Sequence, residues 1–233
     1  MMHAHLGSKT GYGKAQPNRR SFGGWSTALV VLMAATMAPL GSHASTTVTK
    51  TFRQGDSNGS IVKDGGVTSD TPNANYATAG YIGVNATSGG HALIRFDNLF
   101  GTGPNQIPHG SIITSAKVTL YLSGVAAGSG PAAMHRMLVP WQDTATYNSM
   151  TTSGPGIQHD DVEARAVADA YANVSVGGTK SFVVTATVQD WANGAPVYGW
   201  AVWRNSTVNM NVTLSDNSVI PRRPVLSVTY STP

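Results

Sequence analysis

Apolar residues recur at every second position through several short stretches of this chain. Val118, Leu120 and Leu122 share one side of their segment, while Lys117, Thr119 and Tyr121 take the other; period two is the signature of a half-buried strand. Leu226 and Val228 alternate in the same way with Val225, Ser227 and Thr229, and Ala92, Ile94 and Phe96 alternate with Leu93, Arg95 and Asp97. Between such runs stand Asp64-Gly65-Gly66, Ser88-Gly89-Gly90, Gly128-Ser129-Gly130-Pro131 and Ser153-Gly154-Pro155-Gly156, which are expected to be turns. Many short strands joined by polar turns predict an all-β, double-sheet β-sandwich.

Residues 182–203 carry a sharper profile. Residues 182–185 have strand composition, and Val188, Trp191 and Ala192 then mark the apolar face of a single helical turn. Asn193-Gly194 breaks that turn, Pro196 forbids its resumption, and residues 198–203 return to strand composition. In this last strand Tyr198, Trp200 and Val202 fall on one side and Gly199, Ala201 and Trp203 on the other. The larger set is expected to face the core, which leaves Trp203 on the exposed face with Arg204 at the strand end. Trp191 and Trp141 are expected in structural positions. The alanine-rich stretch 161–171, with acids near its start, is expected to be a loop or one helical turn.

Composition narrows the class. The first 44 residues hold Lys9, Lys14, Arg19 and Arg20 and no acid, followed by an apolar run too short to span a bilayer and by Ser42-His43-Ala44. This is the layout of a cleaved export leader, and Arg19-Arg20-Ser21-Phe22 also fits the twin-arginine pattern. The expected division is therefore a signal peptide at 1–44 and one domain at 45–233, with no membrane association after cleavage. The chain's net charge of +4 resides in that leader; eleven basic and eleven acidic residues remain beyond it. A balanced body lacks the basic footprint of a nucleic-acid partner. The absence of cysteine excludes disulfides and thiolate metal sites. A domain of 189 residues buries roughly 70% of its unfolded surface, enough to hold by packing alone. Nothing in the pattern speaks for a particular oligomeric state.

Several motifs in order carry a resemblance. Thr71-Pro72-Asn73-Ala74-Asn75-Tyr76 is similar to an N-x-N-Y-G loop, with Ala77 where glycine is usual. Tyr81-Ile82-Gly83 and Ala92-Leu93-Ile94-Arg95-Phe96-Asp97 are similar to Y-V-G and A-L-L-R-F-D strands. Residues 112–122 resemble a T-S-A-x-L-x-L-Y strand, and Trp141 with 144–148 resembles W-x-x-x-T-V-T-W-N, Tyr147 replacing the second tryptophan. The segment 182–203 resembles V-Q-x-W followed by W-x-x-G and a Y-G strand, and 223–230 resembles a closing R-P-x-L-x-V-T-Y strand. In this order, over roughly 48–230, the motifs resemble the DNRLRE domain, carbohydrate-binding module family 96. That resemblance implies jelly-roll winding and binding of an extracellular polysaccharide of the alginate type, without turnover.

Candidate binding residues follow from sugar chemistry. A flat ring stacks on the C–H face of a pyranose, so Trp203, with Arg204 nearby, is the expected platform. His91 and Arg95, joined by Arg136 from a neighbouring strand, would form a basic row for a carboxylate or sulfate, because the arginine fork meets a carboxylate with two hydrogen bonds. The competing expectation is a same-face Arg95–Asp97 ion pair that fixes the sheet surface. Asp160, Asp161 and Glu163, or Asp56 and Asn58, are the oxygen ligands available to a structural calcium; no other cofactor is expected, and His159 lacks a second histidine at zinc spacing. The five Asn-x-Ser/Thr sequons at Asn58, Asn85, Asn173, Asn205 and Asn211 are expected by chance in a chain this rich in those residues. The sequence contains no G-x-S-x-G elbow, H-E-x-x-H or phosphate loop. Only a lyase built on Tyr121, His135 and Arg136 would make it an enzyme. A structural or adhesive matrix component is the other alternative to a binding module.

Overall fold

The computed structural model describes Gly13 and residues 46–232, apart from 86–88, 127–129, 206 and 208. The predicted leader, Gly13 excepted, lies outside the described residues, as does part of the turn clusters at 88–90 and 128–131. The described strands are β1 (Thr47–Arg53), β2 (Ile61–Val67), β3 (Tyr81–Val84), β4 (His91–Asp97), β5 (Ile112–Ala126), β6 (Gly130–Arg136), β7 (Ala170–Val174), β8 (Gly178–Val183), β9 (Trp200–Arg204), β10 (Asn209–Thr213) and β11 (Val225–Ser231), with one α-helix, α1 (Thr185–Ala192).

Two antiparallel sheets pack face to face. Sheet A runs β1-β11-β5-β10-β3 with β8 on the opposite edge of β5, and sheet B runs β2-β4-β9-β6-β7. From β1 to β6 the chain changes sheet at every step, a jelly-roll winding. The alternation read from sequence decides which side chains enter the space between them. Val118, Leu120, Leu226 and Val228 from sheet A meet Ile94, Phe96, Trp200 and Val202 from sheet B in one continuous core. The described residues from 46 onward belong to one compact unit.

A second apolar layer lies on the far side of sheet B. Leu93, Ala133, Ala201 and Trp203 point away from the inter-sheet core and pack against Met137, Trp141 and Ile157 from the segment 137–168. That segment is tied down as a roof by backbone bonds from Leu138 N to Glu163 O at 2.8 Å and from Arg165 N to Arg136 O at 2.9 Å. Inside it, the Glu163 carboxylate, 0% exposed, accepts from Ser153 N at 2.5 Å and Ser153 Oγ at 2.6 Å. The Trp141 indole donates to Tyr198 O at 2.6 Å, which ties the roof to the segment that leads into β9.

Three local expectations change. Asp64-Gly65-Gly66 is the interior of β2, not a turn: a Cβ on Gly66 would collide with Ile82, so glycine is needed for close sheet contact rather than for reversal. The helix covers two turns, Thr185–Ala192, and the flanking strands are Gly178–Val183 and Trp200–Arg204. Gly199, at φ +72°, resets the alternation ahead of β9, so Tyr198 leaves the Trp200 and Val202 face and packs into the roof layer. The stretch 161–171 is a loop as expected, up to Ala170, where β7 begins.

The helix closes one end of the sandwich. Val188 and Trp191 are buried, while Gln189 accepts from Ile113 N at 2.7 Å and donates to Ser111 O at 3.1 Å. Gly110 N reaches Ala192 O at 2.9 Å. The loop between β4 and β5 is thereby fastened to α1.

Candidate functional site

The residues expected to bind sugar do not form one surface. Trp203 is only 9% exposed; the roof covers it, and its ring lies 4.2 Å from His91, 5.1 Å from His135 and 5.3 Å from His159. An open stacking platform at Trp203 is therefore excluded by the roof. Burial, with His159 and His135 close by, pushes the His91 imidazole down to about 3, and its Nδ1 is buried without a partner. His91 is neutral near pH 7 and supplies no positive charge.

The arginines are committed elsewhere. Arg95 donates Nε to Asp97 Oδ1 at 2.5 Å, Nη2 to Asp97 Oδ2 at 3.2 Å and Nη1 to Trp141 O at 2.6 Å, and its guanidinium lies 4.9 Å from the Trp141 ring centre. It is a bolt between sheet and roof. Arg136 belongs to the other face of sheet B, with Met134, and meets Asp169 at 3.3 Å, Asp190 at 2.9 Å and Thr187 Oγ1 at 3.1 Å. Arg204, half-buried, falls by alternation on the Val202 side, away from Trp203. The basic row is thus split across two faces because Arg95 and Arg136 sit at opposite parity in their strands.

The lyase trio is dispersed too. Tyr121 stands on the outer face of sheet A under Arg222, 4.7 Å from ring centre to guanidinium, whereas His135 is in the roof layer with its Nδ1 2.7 Å from Arg165 O. The expected calcium ligands are engaged by the chain: Asp160 Oδ1 accepts from Val162 N at 3.0 Å, Asp161 Oδ1 from Ala166 N at 3.0 Å, and Asn58 Oδ1 from Ser60 N at 3.1 Å. Asp56 is 3.8 Å from Arg53. Among the described residues no group of three or more His, Cys, Asp or Glu is arranged to hold a metal ion.

A concave site exists at the end closed by α1. A depression of 420 Å³ is lined by Lys63, Asn98, Phe100, His109, Trp191 and Val197, among others. A neighbouring one of 200 Å³ is lined by Asn58, Asn98, Asn105 and Gln106, among others. Asp97 and Asn98 belong to both, so together they make a groove bent around these two residues. Phe100 and His109 stack across the larger half at 5.7 Å between ring centres, 30° apart in plane. Trp191, whose buried Nε1 has no acceptor, contributes to the same wall.

The loop that carries the groove, 98–111, is rigidly braced. Ile107 N bonds Leu99 O at 2.7 Å and Gly101 N bonds Ile107 O at 3.0 Å. The Gln106 side chain accepts from Gly103 N at 2.9 Å and donates to Asn98 O at 3.2 Å. Lys50 Nζ holds Pro104 O at 2.5 Å and Gln106 O at 2.9 Å from β1. Asn98 adopts φ +55°, a left-handed backbone that asparagine tolerates better than most residues, and its exposed amide makes no hydrogen bond within the described structure. Lys63 bonds Asp143 at 2.6 Å, which raises the lysine's pKa and lowers the carboxyl's. No family model matches the chain, and no curated protein matches it.

The arrangement offers flat rings, amides and one ion pair on a preformed frame. Such a frame binds without first spending free energy on ordering itself. Sequence reading missed this groove because its shape arises from Gln106 and Lys50 reaching across the loop. Asn98-Leu99-Phe100-Gly101, a polar break in an apolar run right after a strand, was the available signal.

Proposed function

We propose that this protein is an exported, non-catalytic polysaccharide-binding module of the DNRLRE type, which holds an extracellular glycan in the groove around Asn98 and Phe100. The observation that carries this reading is the braced loop 98–111, which presents a stacked ring pair beside unengaged amide at one open concavity. Rings meet the C–H face of a sugar, and amides meet its hydroxyls in both donor and acceptor sense. The balanced charge of the body argues against nucleic acid.

Absence of turnover is supported by the state of the acids. A glycoside hydrolase needs one carboxyl kept protonated near neutral pH. Burial raises Asp64 to about 7, but that group is 2% exposed and is bonded to Ser215 N at 2.6 Å and Ser215 Oγ at 2.8 Å, away from the groove. Beside the groove, Asp97 is clamped by Arg95 and Asp143 by Lys63. With Arg95 and Arg136 unavailable for a basic row, uronate is one ligand class among several, and the polymer is chosen by experiment.

Affinity electrophoresis of the purified chain in gels cast with alginate, pectin, xylan or soluble chitin is the test. Retardation by at least one polymer, lost in Phe100→Ala and in Asn98→Ala, is the expected result. Passage through all four gels without retardation, or equal retardation of the Phe100→Ala variant, overturns the reading in favour of a matrix component. Incubation with alginate should give no rise in unsaturated uronate absorbance.

A further inference from the structure

A second concavity occupies the other end of the sandwich. β2 and β4 pair from Ile61 with Asp97 to Val67 with His91, so six residue steps, about 20 Å, separate the Asn98 groove from the chain that leaves Val67. There, a 470 Å³ depression lined by Asp70, Thr71, Tyr76 and Tyr81, among others, meets a 210 Å³ depression that includes Asn209 and Asn211. Gly83 and Asn85 belong to both. The two form a trough that starts in the β2–β3 loop and crosses edge strand β3 onto the outer face of sheet A.

The floor of this trough is made by missing side chains. Asn211 pairs with Gly83 of β3 on one side and with Gly124 of β5 on the other, so its amide stands in a trench one side chain deep, with the Asn85 amide beside it over Gly83. Among the described residues no donor reaches the buried Asn209 Oδ1, so this wall of the trough carries an unmet acceptor. Tyr81 is 56% exposed, and the Tyr76 hydroxyl is positioned by Thr71 Oγ1 at 2.7 Å. Among the described residues of the lining, Asp70 alone is charged.

We propose that this trough binds a neutral polysaccharide strand, which makes the protein a two-ended glycan binder. Amides and tyrosines recognise hydroxyls and sugar C–H faces. A uronate or sulfated polymer would meet Asp70 and no cation. Glycan binding in the trough does not rest on the reading of the Asn98 groove; the two-ended arrangement does. Two sites facing opposite ends would let one molecule bridge two strands or hold one strand with raised effective concentration.

Isothermal titration of the full chain with cellohexaose, xylohexaose, mannohexaose and a guluronate hexamer tests it. At least one neutral hexamer is expected to bind, with affinity at least tenfold weaker in Tyr81→Ala and within twofold of the parent in Phe100→Ala. Gly83→Trp is the blocking variant: a Cβ at Gly83 would meet Asn85 and Asn211 at 3.5 and 3.7 Å, ordinary contact distances, so the ring would fill the trench from the solvent side and abolish the heat without touching the core. No titration by any neutral hexamer, unchanged affinity in both trough variants, or equally tight Tyr81-dependent binding of the guluronate hexamer would each overturn the proposal. Failure of the Asn98 groove reading would appear separately, as Phe100→Ala leaving polymer retardation intact while Tyr81→Ala still weakens the neutral hexamer.

Discussion

The outer faces of the two sheets have opposite fates. Sheet A presents Thr49, Thr229, Thr119 and Ser181 to solvent, with hydroxyl pairs at 2.9 Å between Thr49 and Thr229 and 3.2 Å between Thr119 and Ser181. Sheet B turns Leu93, Ala133, Ala201 and Trp203 outward, and a whole segment of chain covers them. One face needs water and the other needs a roof, so the same alternation means surface in one sheet and a second core in the other. The lesson is that period two names a side of the strand, and only the composition of that side says what lies on it.

Removing the largest side chain under the roof should break the comparison if it is wrong. Trp203→Ala is expected to destabilise the protein by about 3–5 kcal/mol in urea unfolding, since it empties a packed site. A change of that size would also show that Trp203 holds fold rather than ligand. A loss no larger than that of a bare-face substitution would mean the roof contributes little.

Titration sharpens the contrast between layers. Folded Asp64, between the sheets, keeps its proton up to about pH 7, while the unfolded chain releases it near 3.8. Its contribution is full below pH 3.8 and is lost as pH rises towards 7. Folded His91, in the roof layer, resists protonation until about pH 3 against 6.5 when unfolded, so its contribution is full above pH 6.5 and is lost as pH falls towards 3. Each slope is at most about 1.4 kcal/mol per pH unit, and the two partly cancel in the parent. Urea midpoints across pH 3–7 should therefore rise more steeply with pH in Asp64→Asn and fall with pH in His91→Phe. Parallel curves for all three proteins would contradict the two-layer account.

The smallest effect belongs to the open face. Thr229→Ala removes one exposed hydroxyl pair and should shift stability by no more than about 0.5 kcal/mol, measured in the same urea series.

Much of this was legible in residue order. Strands β5 and β11 follow from alternation, β4 was placed as a strand although it is buried on both faces, and Trp191 and Trp141 are buried as expected. The Arg95–Asp97 ion pair was legible from spacing alone. The roof was not, because the irregular segment 137–168 has no period to detect. A signal did exist: Ala92-Leu93-Ile94 and Ala201-Val202-Trp203 are apolar at consecutive positions, which marks strands buried on both faces. Trp203 was expected in solvent because that signal was read as alternation. Arg136 was assigned to the wrong face because its neighbours Ala132, Ala133 and Met134 are apolar on both sides and give no parity. The Asn98 groove depends on contacts such as Lys50 with Pro104, 54 residues apart, and no local pattern reports those.

The most direct test of the central claim is a backbone amide shift map of the isotope-labelled protein, titrated with a soluble oligomer of whichever polymer retards it. The account predicts that the largest changes cluster at Asn98, Phe100 and Gln106, with His91 and Trp203 unmoved. Changes centred on Trp203 and its histidines, with the loop 98–111 silent, would contradict it.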